Sequence, residues 1–193
     1  MNVVVIKYNA GNIRSVDLAL KRLGVNAEIT DNQEKIKTAD RVIFPGVGEA
    51  SSAMQYLRAR ALDKVIKDLK QPVLGICLGM QLMCSYSEEN DTTCFGIFDQ
   101  KVKRFPELGM KIPKIGWDTI YNLKSNLFNG ISEEEYMYFV HGYYVEKCDF
   151  SIALTYYGLE YSAGIQKNNF SAVQFHPEKS GKMGQKILEN FLA

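Results

Sequence analysis

The chain has 193 residues, 46% hydrophobic and 23% charged, enough to bury a full core in one domain. Its 23 Lys and Arg against 22 Asp and Glu leave a net charge of +1, which excludes the strongly basic surface of a nucleic-acid binder or membrane-surface protein. No apolar run has the length of a membrane span, and Met1-Asn2-Val3-Val4-Val5 reads as a first strand rather than a basic leader.

Asn2 to Tyr8 is a mostly continuous apolar run of the kind that buried parallel strands show. Asn9-Ala10-Gly11-Asn12 interrupts it, with Asn12 placed as a helix N-cap. Ile13, Val16, Leu20 and Leu23 then share one helical face, which Gly24 closes. Asn26 to Thr30 and Arg41 to Phe44 read as strands, the second running into Pro45-Gly46-Val47-Gly48. Met54, Leu57, Leu62, Val65, Ile66 and Leu69 give helical spacing before a short strand from Pro72 to Ile76. This alternation predicts right-handed crossovers and a parallel sheet. The later chain differs. Phe95–Phe105, Lys114–Tyr121, Tyr136–His141, Tyr143–Cys148, Ile152–Tyr157, Ser162–Gln166 and Phe170–Phe175 read as short strands, and Met183 to Phe191 returns to a helical face. The expected fold is α/β: an open, mostly parallel sheet flanked by helices, one domain over residues 1–193, with a strand-rich second half.

Chemistry concentrates where the strand from Pro72 ends. Cys77 has Gly75 and Gly79 on either side, a Gly-x-Cys-x-Gly spacing that copies a nucleophile elbow. A thiol at such a strand-to-helix turn gains from the helix N-terminus, and the next backbone N–H is placed to bind an oxyanion. On its local sequence Cys77 reads equally well as a small buried hydrophobe. In an open parallel sheet, ligands bind beyond the carboxyl ends of the strands. Asn9–Asn12, Pro45–Gly48, Cys77 and His176 each follow a strand, so parallel strands would bring all four to one edge.

His176 lies in Phe175-His176-Pro177-Glu178, where Pro177 cannot continue a ladder and Glu178 is close enough to turn back on the imidazole. Thiol, imidazole and carboxylate together form an activated-nucleophile set. His141 is the only competing base, and it has no carboxylate until Glu146. Gly46-Val47-Gly48 reads as an oxyanion hole or anion nest, or as a plain tight turn, and lacks the signature of a phosphate loop. The four cysteines, Cys77, Cys84, Cys94 and Cys148, contain no Cys-x-x-Cys pair and, with two histidines, no zinc pattern. The expectation is a cytoplasmic protein with reduced thiols, no metal and no cofactor, and with Cys84 in the core.

Gly75-Ile-Cys-Leu-Gly-Met-Gln81 together with Phe175-His-Pro-Glu178 resembles the triad-type (class I) glutamine amidotransferases. More narrowly, the chain is similar to the glutaminase subunits of imidazole glycerol phosphate synthases of histidine biosynthesis. That likeness rests on Tyr8–Ser15, Pro45–Gly48, Ile112–Asp118, Tyr138–Tyr144 and His176–Ser180. It implies Cys77, His176 and Glu178 as the catalytic triad, with Cys77 forming a glutamyl thioester and releasing ammonia. It implies glutamine held by Gly46, Val47, Gly48, Gln81, Gly142 and Tyr143, with the oxyanion hole formed by rearrangement of Pro45–Gly48 when a partner engages. It also implies a heterodimer with a (β/α)₈ cyclase subunit that uses the ammonia, with Asn12, Trp117, Tyr138 and Lys179 at or near the interface. Three departures from the family pattern stand out. His141-Gly142-Tyr143 replaces His-Ser-Tyr, which removes a hydroxyl near the substrate carboxylate. Pro113–Asp118 replaces Pro-His-Met-Gly-Trp-Asn, and a usual glycine is missing at Asp99 or Gln100.

Overall fold

The computed structural model describes residues 1–107 and 109–193. Its first strand, Val3–Ile6 (β1), is buried along its whole length. Successive side chains enter opposite faces of the sheet: Val4 and Ile6 join one core, Val3 and Val5 the other. Helix α1 (Ile13–Arg22) follows. It ends in a Schellman closure, with Val25 N–H on Leu20 O at 3.0 Å and Gly24 at φ 75°, a conformation suited to glycine. The next strand, β2, is Glu28–Thr30, shorter than the apolar run suggests. Gln33–Lys37 (α2) is a helix with too few turns for its periodicity to be legible, capped by Asn32 accepting from Lys35 N–H at 3.1 Å.

Then come β3 (Arg41–Phe44), α3 (Ala50–Ala59), α4 (Leu62–Asp68), β4 (Val73–Ile76) and α5 (Leu78–Met83). Short strands β5 (Tyr86–Ser87), β6 (Thr92–Thr93) and β7 (Lys101–Arg104) follow. A hairpin of β8 (Lys114–Ile120) and β9 (Glu135–His141) leads to β10 (Tyr143–Val145), β11 (Ser151–Tyr156), β12 (Glu160–Lys167), β13 (Phe170–Val173) and α6 (Gly181–Leu192).

The main sheet has seven strands in the order β11-β12-β13-β4-β3-β1-β2. The five from β13 to β2 are parallel, and β12 and β11 extend the sheet antiparallel. One face packs on Ile36, Met54, Leu57, Leu62 and Ile66 from α2, α3 and α4. The other packs on Val16 and Leu20 from α1 and on Ile187, Leu188 and Phe191 from α6. The α/β fold expected from the chain pattern is therefore present, with helices on both sides.

The run Phe95–Phe105 is not one strand. The N–H groups of Phe95, Ile97 and Phe98 bond to the carbonyls of Leu82 and Met83 at 3.0 Å, so these side chains fill the core from an irregular segment and only Lys101–Arg104 pairs in a ladder. Among the described residues, no helix is long and apolar enough to cross a membrane.

Candidate active site

The carboxyl ends of β1, β3, β4 and β13 lie side by side because these strands are parallel neighbours. Cys77 sits at the end of β4 with φ 52° and ψ −107°, an outlier for a non-glycine residue that the surroundings hold in place. Its N–H bonds Val173 O at 2.8 Å, and its carbonyl accepts from Gln81 N–H at 3.2 Å. Contact requires the glycine at Gly79 and leaves little room at Gly75. A Cβ on Gly79 would lie 2.0 Å from Phe44 O, and one on Gly75 would lie 3.1 Å from Ala172 Cβ and from the Gly79 backbone. The nucleophile elbow read from the sequence is thus a tight backbone crossing in the fold.

His176 follows β13, and Pro177–Lys179 forms a 3₁₀ turn that brings Glu178 back. The ladder of β13 stops at Val173, before His176; Gln174 N–H still bonds Ala163 O of β12 at 2.8 Å, and His176 N–H turns to Tyr138 O at 2.9 Å on the neighbouring hairpin. Glu178 Oε1 lies 2.7 Å from His176 Nδ1, and both side chains are almost wholly buried. Asn12 was expected to cap α1 with its side chain. It has φ 68° instead, and its Nδ2 donates to Glu178 Oε1. Burial opposes charge on His176, but the adjacent Cys77 thiolate and then Glu178 outweigh it, so its pKa is raised to about 10. Cys77, His176 and Glu178 therefore lie together out of solvent, with the His176 imidazole held in its charged form.

His141, the rival base, has a different setting. Its Nδ1 lies 2.7 Å from Tyr143 O, which only accepts, so Nδ1 carries the proton. Nε2 then accepts from Tyr161 Oη at 3.1 Å. Phe105, Phe139 and Tyr161 surround the ring. Burial lowers its pKa to about 4, against a smaller opposing effect of the Tyr143 carbonyl. His141 is a neutral structural histidine.

A cavity of about 220 Å³ opens beside Cys77, lined by Val47, Gly48, Leu78, Gln81, Glu89, Val140, His141, Gly142 and Tyr143. It gathers the sequence-derived candidates Val47, Gly48, Gln81, Gly142 and Tyr143 around the thiol. Gly46 lies behind them, against Tyr8 and Leu78. Gln81 Nε2 is already engaged, donating to Tyr143 O at 3.0 Å and to Gln174 Oε1 at 3.1 Å. A Cβ on Gly142 would meet Ile112 and Pro113 only at ordinary contact distances of 3.7 and 3.9 Å, so the wall has room for a small side chain.

The sequence reading missed two residues. Glu89 is the only carboxylate lining this cavity among the described residues. It accepts from Ala50 N–H at 2.7 Å, and burial raises its pKa. It comes from a polar connection between two-residue strands, where no local signal marks it. Gln174 donates from Nε2 to Cys77 Sγ at 3.6 Å. It had a signal: a polar residue in an apolar run, two positions before His176 and so of the same strand parity.

The oxyanion expectation needs correcting for this conformation. Leu78 N–H, the donor next to the nucleophile, bonds Gly46 O at 3.2 Å. The segment after β3 thus turns a carbonyl toward the elbow. Its neighbours hold it there: Tyr8 Oη donates to Pro45 O at 2.6 Å, and Gly11 N–H to Val47 O at 3.0 Å. Cys84 is fully buried, and burial pushes its thiol well above the usual range, consistent with a core residue.

The four candidate interface residues lie around the triad turn. Trp117, half exposed, meets Tyr138 edge-on at 5.8 Å, and Lys179 Nζ lies 5.9 Å from the Tyr138 ring centre. Ile115 and Tyr136 add exposed apolar surface to the same hairpin. Within the departure at Pro113–Asp118, Lys114 is buried yet paired with Asp118 at 2.5 Å, so each charge offsets the other.

Residues 4–193 match the sequence profile described as glutamine amidotransferase class-I. The chain is 59% identical to the imidazole glycerol phosphate synthase subunit HisH of Bacteroides thetaiotaomicron, across 100% of this chain and 99% of that protein. It is 46% identical to HisH of Haemophilus influenzae, across 100% and 97%. The chain belongs to the class-I glutamine amidotransferase family, among its HisH subunits. Solved structures agree on the fold of this amidotransferase. A glutamine amidotransferase superposes with a TM-score of 0.76 at 18% identity over 100% of both chains. PurLQS from Thermotoga maritima gives a TM-score of 0.70 at 18% identity, over 99% of this chain and 97% of that one.

Proposed function

We propose that this chain, as one amidotransferase domain over residues 1–193, releases ammonia from glutamine with Cys77, His176 and Glu178. The Cys77 thiolate attacks the side-chain amide carbon, and the His176 imidazolium gives its proton to the departing nitrogen, which leaves as ammonia. His176, now neutral, takes a proton from water. The resulting hydroxide opens the glutamyl thioester, and thiolate and glutamate leave. Glu178 keeps Nδ1 protonated and offsets the imidazolium. The observation that carries this reading is the buried His176–Glu178 pair at 2.7 Å, beside a thiol that opens onto a cavity.

Glu89, across that cavity, supplies the negative charge for the α-ammonium of glutamine, while Gly142, Tyr143 and Gly48 line the remainder. Glu89→Gln is expected to raise KM for glutamine about tenfold with kcat little changed, the loss of one charge-assisted bond.

The acceptor of ammonia is a cyclase subunit docked on the face of Trp117, Tyr138, Lys179 and Asn12. Tyr138 O holds His176, and Asn12 holds Glu178, so docking there reaches the triad directly. The Gly46 carbonyl occupies the oxyanion donor at rest. Turning it away on docking frees Leu78 N–H for the tetrahedral intermediate. The setting is the cytoplasm, where Cys77 stays reduced.

The test is glutamate release by the purified chain, alone and with the cyclase subunit and its nucleotide ligand. The expected result is low activity alone and a rise of orders of magnitude in the complex, abolished by Cys77→Ala. High activity without the partner would sink the gating by Gly46. A complex that forms but releases no glutamate would make the chain a scaffold.

A further inference from the structure

Gln174 is fully buried, and every polar end of its side chain is used. A buried primary amide is costly unless paired, so its partners define its role. The direction of the amide follows from chemistry. Tyr143 O can only accept, so the group of Gln81 facing it is the nitrogen. That same nitrogen faces Gln174 at 3.1 Å, so Gln174 must present its oxygen there. Its own nitrogen is then left to face Cys77 Sγ at 3.6 Å. We propose that Gln174 is a fourth member of the catalytic set, donating an N–H to the Cys77 thiolate and tying that donor through Gln81 to the cavity wall at Tyr143. The assignment rests on Cys77 being the nucleophile.

The donor serves the thiolate twice, before attack and again when sulfur leaves the thioester, because in both states the negative charge sits on Sγ. It also fixes where the sulfur points, since the segment that follows β13 carries Gln174 and His176, two residues apart, to the same atom. The other titratable groups around Cys77 are Tyr8 beyond β1, Tyr161 from β12, His141 from β9, His176 and Glu178 from the turn, and Glu89 across the cavity. Burial pushes Tyr8 and Tyr161 well above the usual phenol range, and His141 is held neutral, so none of these three changes charge near neutral pH. His176, Glu178 and Glu89 are common to the wild type and to any Gln174 variant, so a comparison isolates the amide.

The experiment is the pH dependence of iodoacetamide alkylation at Cys77 in the full chain, read by peptide mass spectrometry, with the melting temperature measured alongside. Gln174→Met keeps the length and removes donor and acceptor. Gln174→Glu keeps an oxygen for Gln81 and lacks the N–H, which guards against a variant that does not fold. Both are expected to move the alkylation midpoint upward by about one pH unit, roughly a tenfold slower reaction below it, with Gln174→Glu moving further because its charge opposes the thiolate. A folded variant with the wild-type midpoint overturns the proposal, however much the melting temperature falls. Wild-type Cys77 reacting no faster than the half-buried Cys148 would overturn the nucleophile reading itself, and this assignment with it.

Discussion

The two histidines share one chain and nearly the same burial, yet they are driven in opposite directions. His141 is shut among aromatic rings with a carbonyl and a hydroxyl for partners, and its pKa falls to about 4. His176 meets the Cys77 sulfur and the Glu178 carboxylate, and its pKa climbs to about 10. Burial costs charge in both pockets. In only one do opposite charges within contact distance exceed that cost. Under the proposed mechanism, the charged neighbours of a histidine, not its burial, fit it to carry the proton.

The largest break of this comparison is functional. His176→Asn is expected to lower partner-stimulated glutamate release by at least about a thousandfold. His141→Gln, which offers an N–H to Tyr143 and an oxygen to Tyr161, is expected to lose less than about tenfold. Steady-state kinetics with the cyclase complex decides it, and a reversed order would move the base to His141.

The same contrast sets two limbs of stability against pH. For His141 the folded pKa is depressed, so its contribution is present above the unfolded value near 6.5 and is lost as pH falls toward about 4, a cost of about 3 kcal/mol. For His176 the folded pKa is raised, so its contribution is present below the unfolded value near 6.5 and is lost as pH rises through about 10. Urea titrations should show stability falling on both sides. His141→Gln should flatten the acid limb alone, and His176→Asn the alkaline limb alone.

Glu178→Gln sharpens the electrostatic part. It keeps an oxygen for His176 Nδ1 and removes the charge. We expect kcat to fall by roughly ten- to a hundredfold with KM nearly unchanged, and the alkaline limb of the pH–rate profile to move down. A profile that does not move would mean that Glu178 only orients the ring. The smallest effect belongs to the wall beside His141. Gly142→Ser fits the space before Ile112 and Pro113 and is expected to lower KM for glutamine by roughly threefold, one neutral hydrogen bond. A raised KM would show that the wall needs its glycine.

What the sequence determined by itself was whatever is local or periodic. The apolar runs of β1, β3 and β4 had to be buried on both faces, and their alternation with helices left a parallel sheet whose carboxyl ends coincide. His176-Pro177-Glu178 is local geometry too, a turn that returns a carboxylate, and Gly75-x-Cys77-x-Gly79 is a local elbow pattern, although it is Phe44 on the neighbouring strand that makes Gly79 necessary. Tertiary structure decided what depends on chains meeting from afar. Phe95 to Phe98 looked like a strand because core segments and strands share composition, and only the carbonyls of Leu82 and Met83 took their N–H groups out of a ladder. Asn12 had the signature of a cap, but the turn after β13 supplied a better acceptor in Glu178. Glu89 carried no signal, since its role comes from a cavity built by other strands. The Gly46 carbonyl on Leu78 N–H is the sharpest case: the glycines make either peptide orientation accessible, and Tyr8 and Gly11, distant in sequence, hold the one observed.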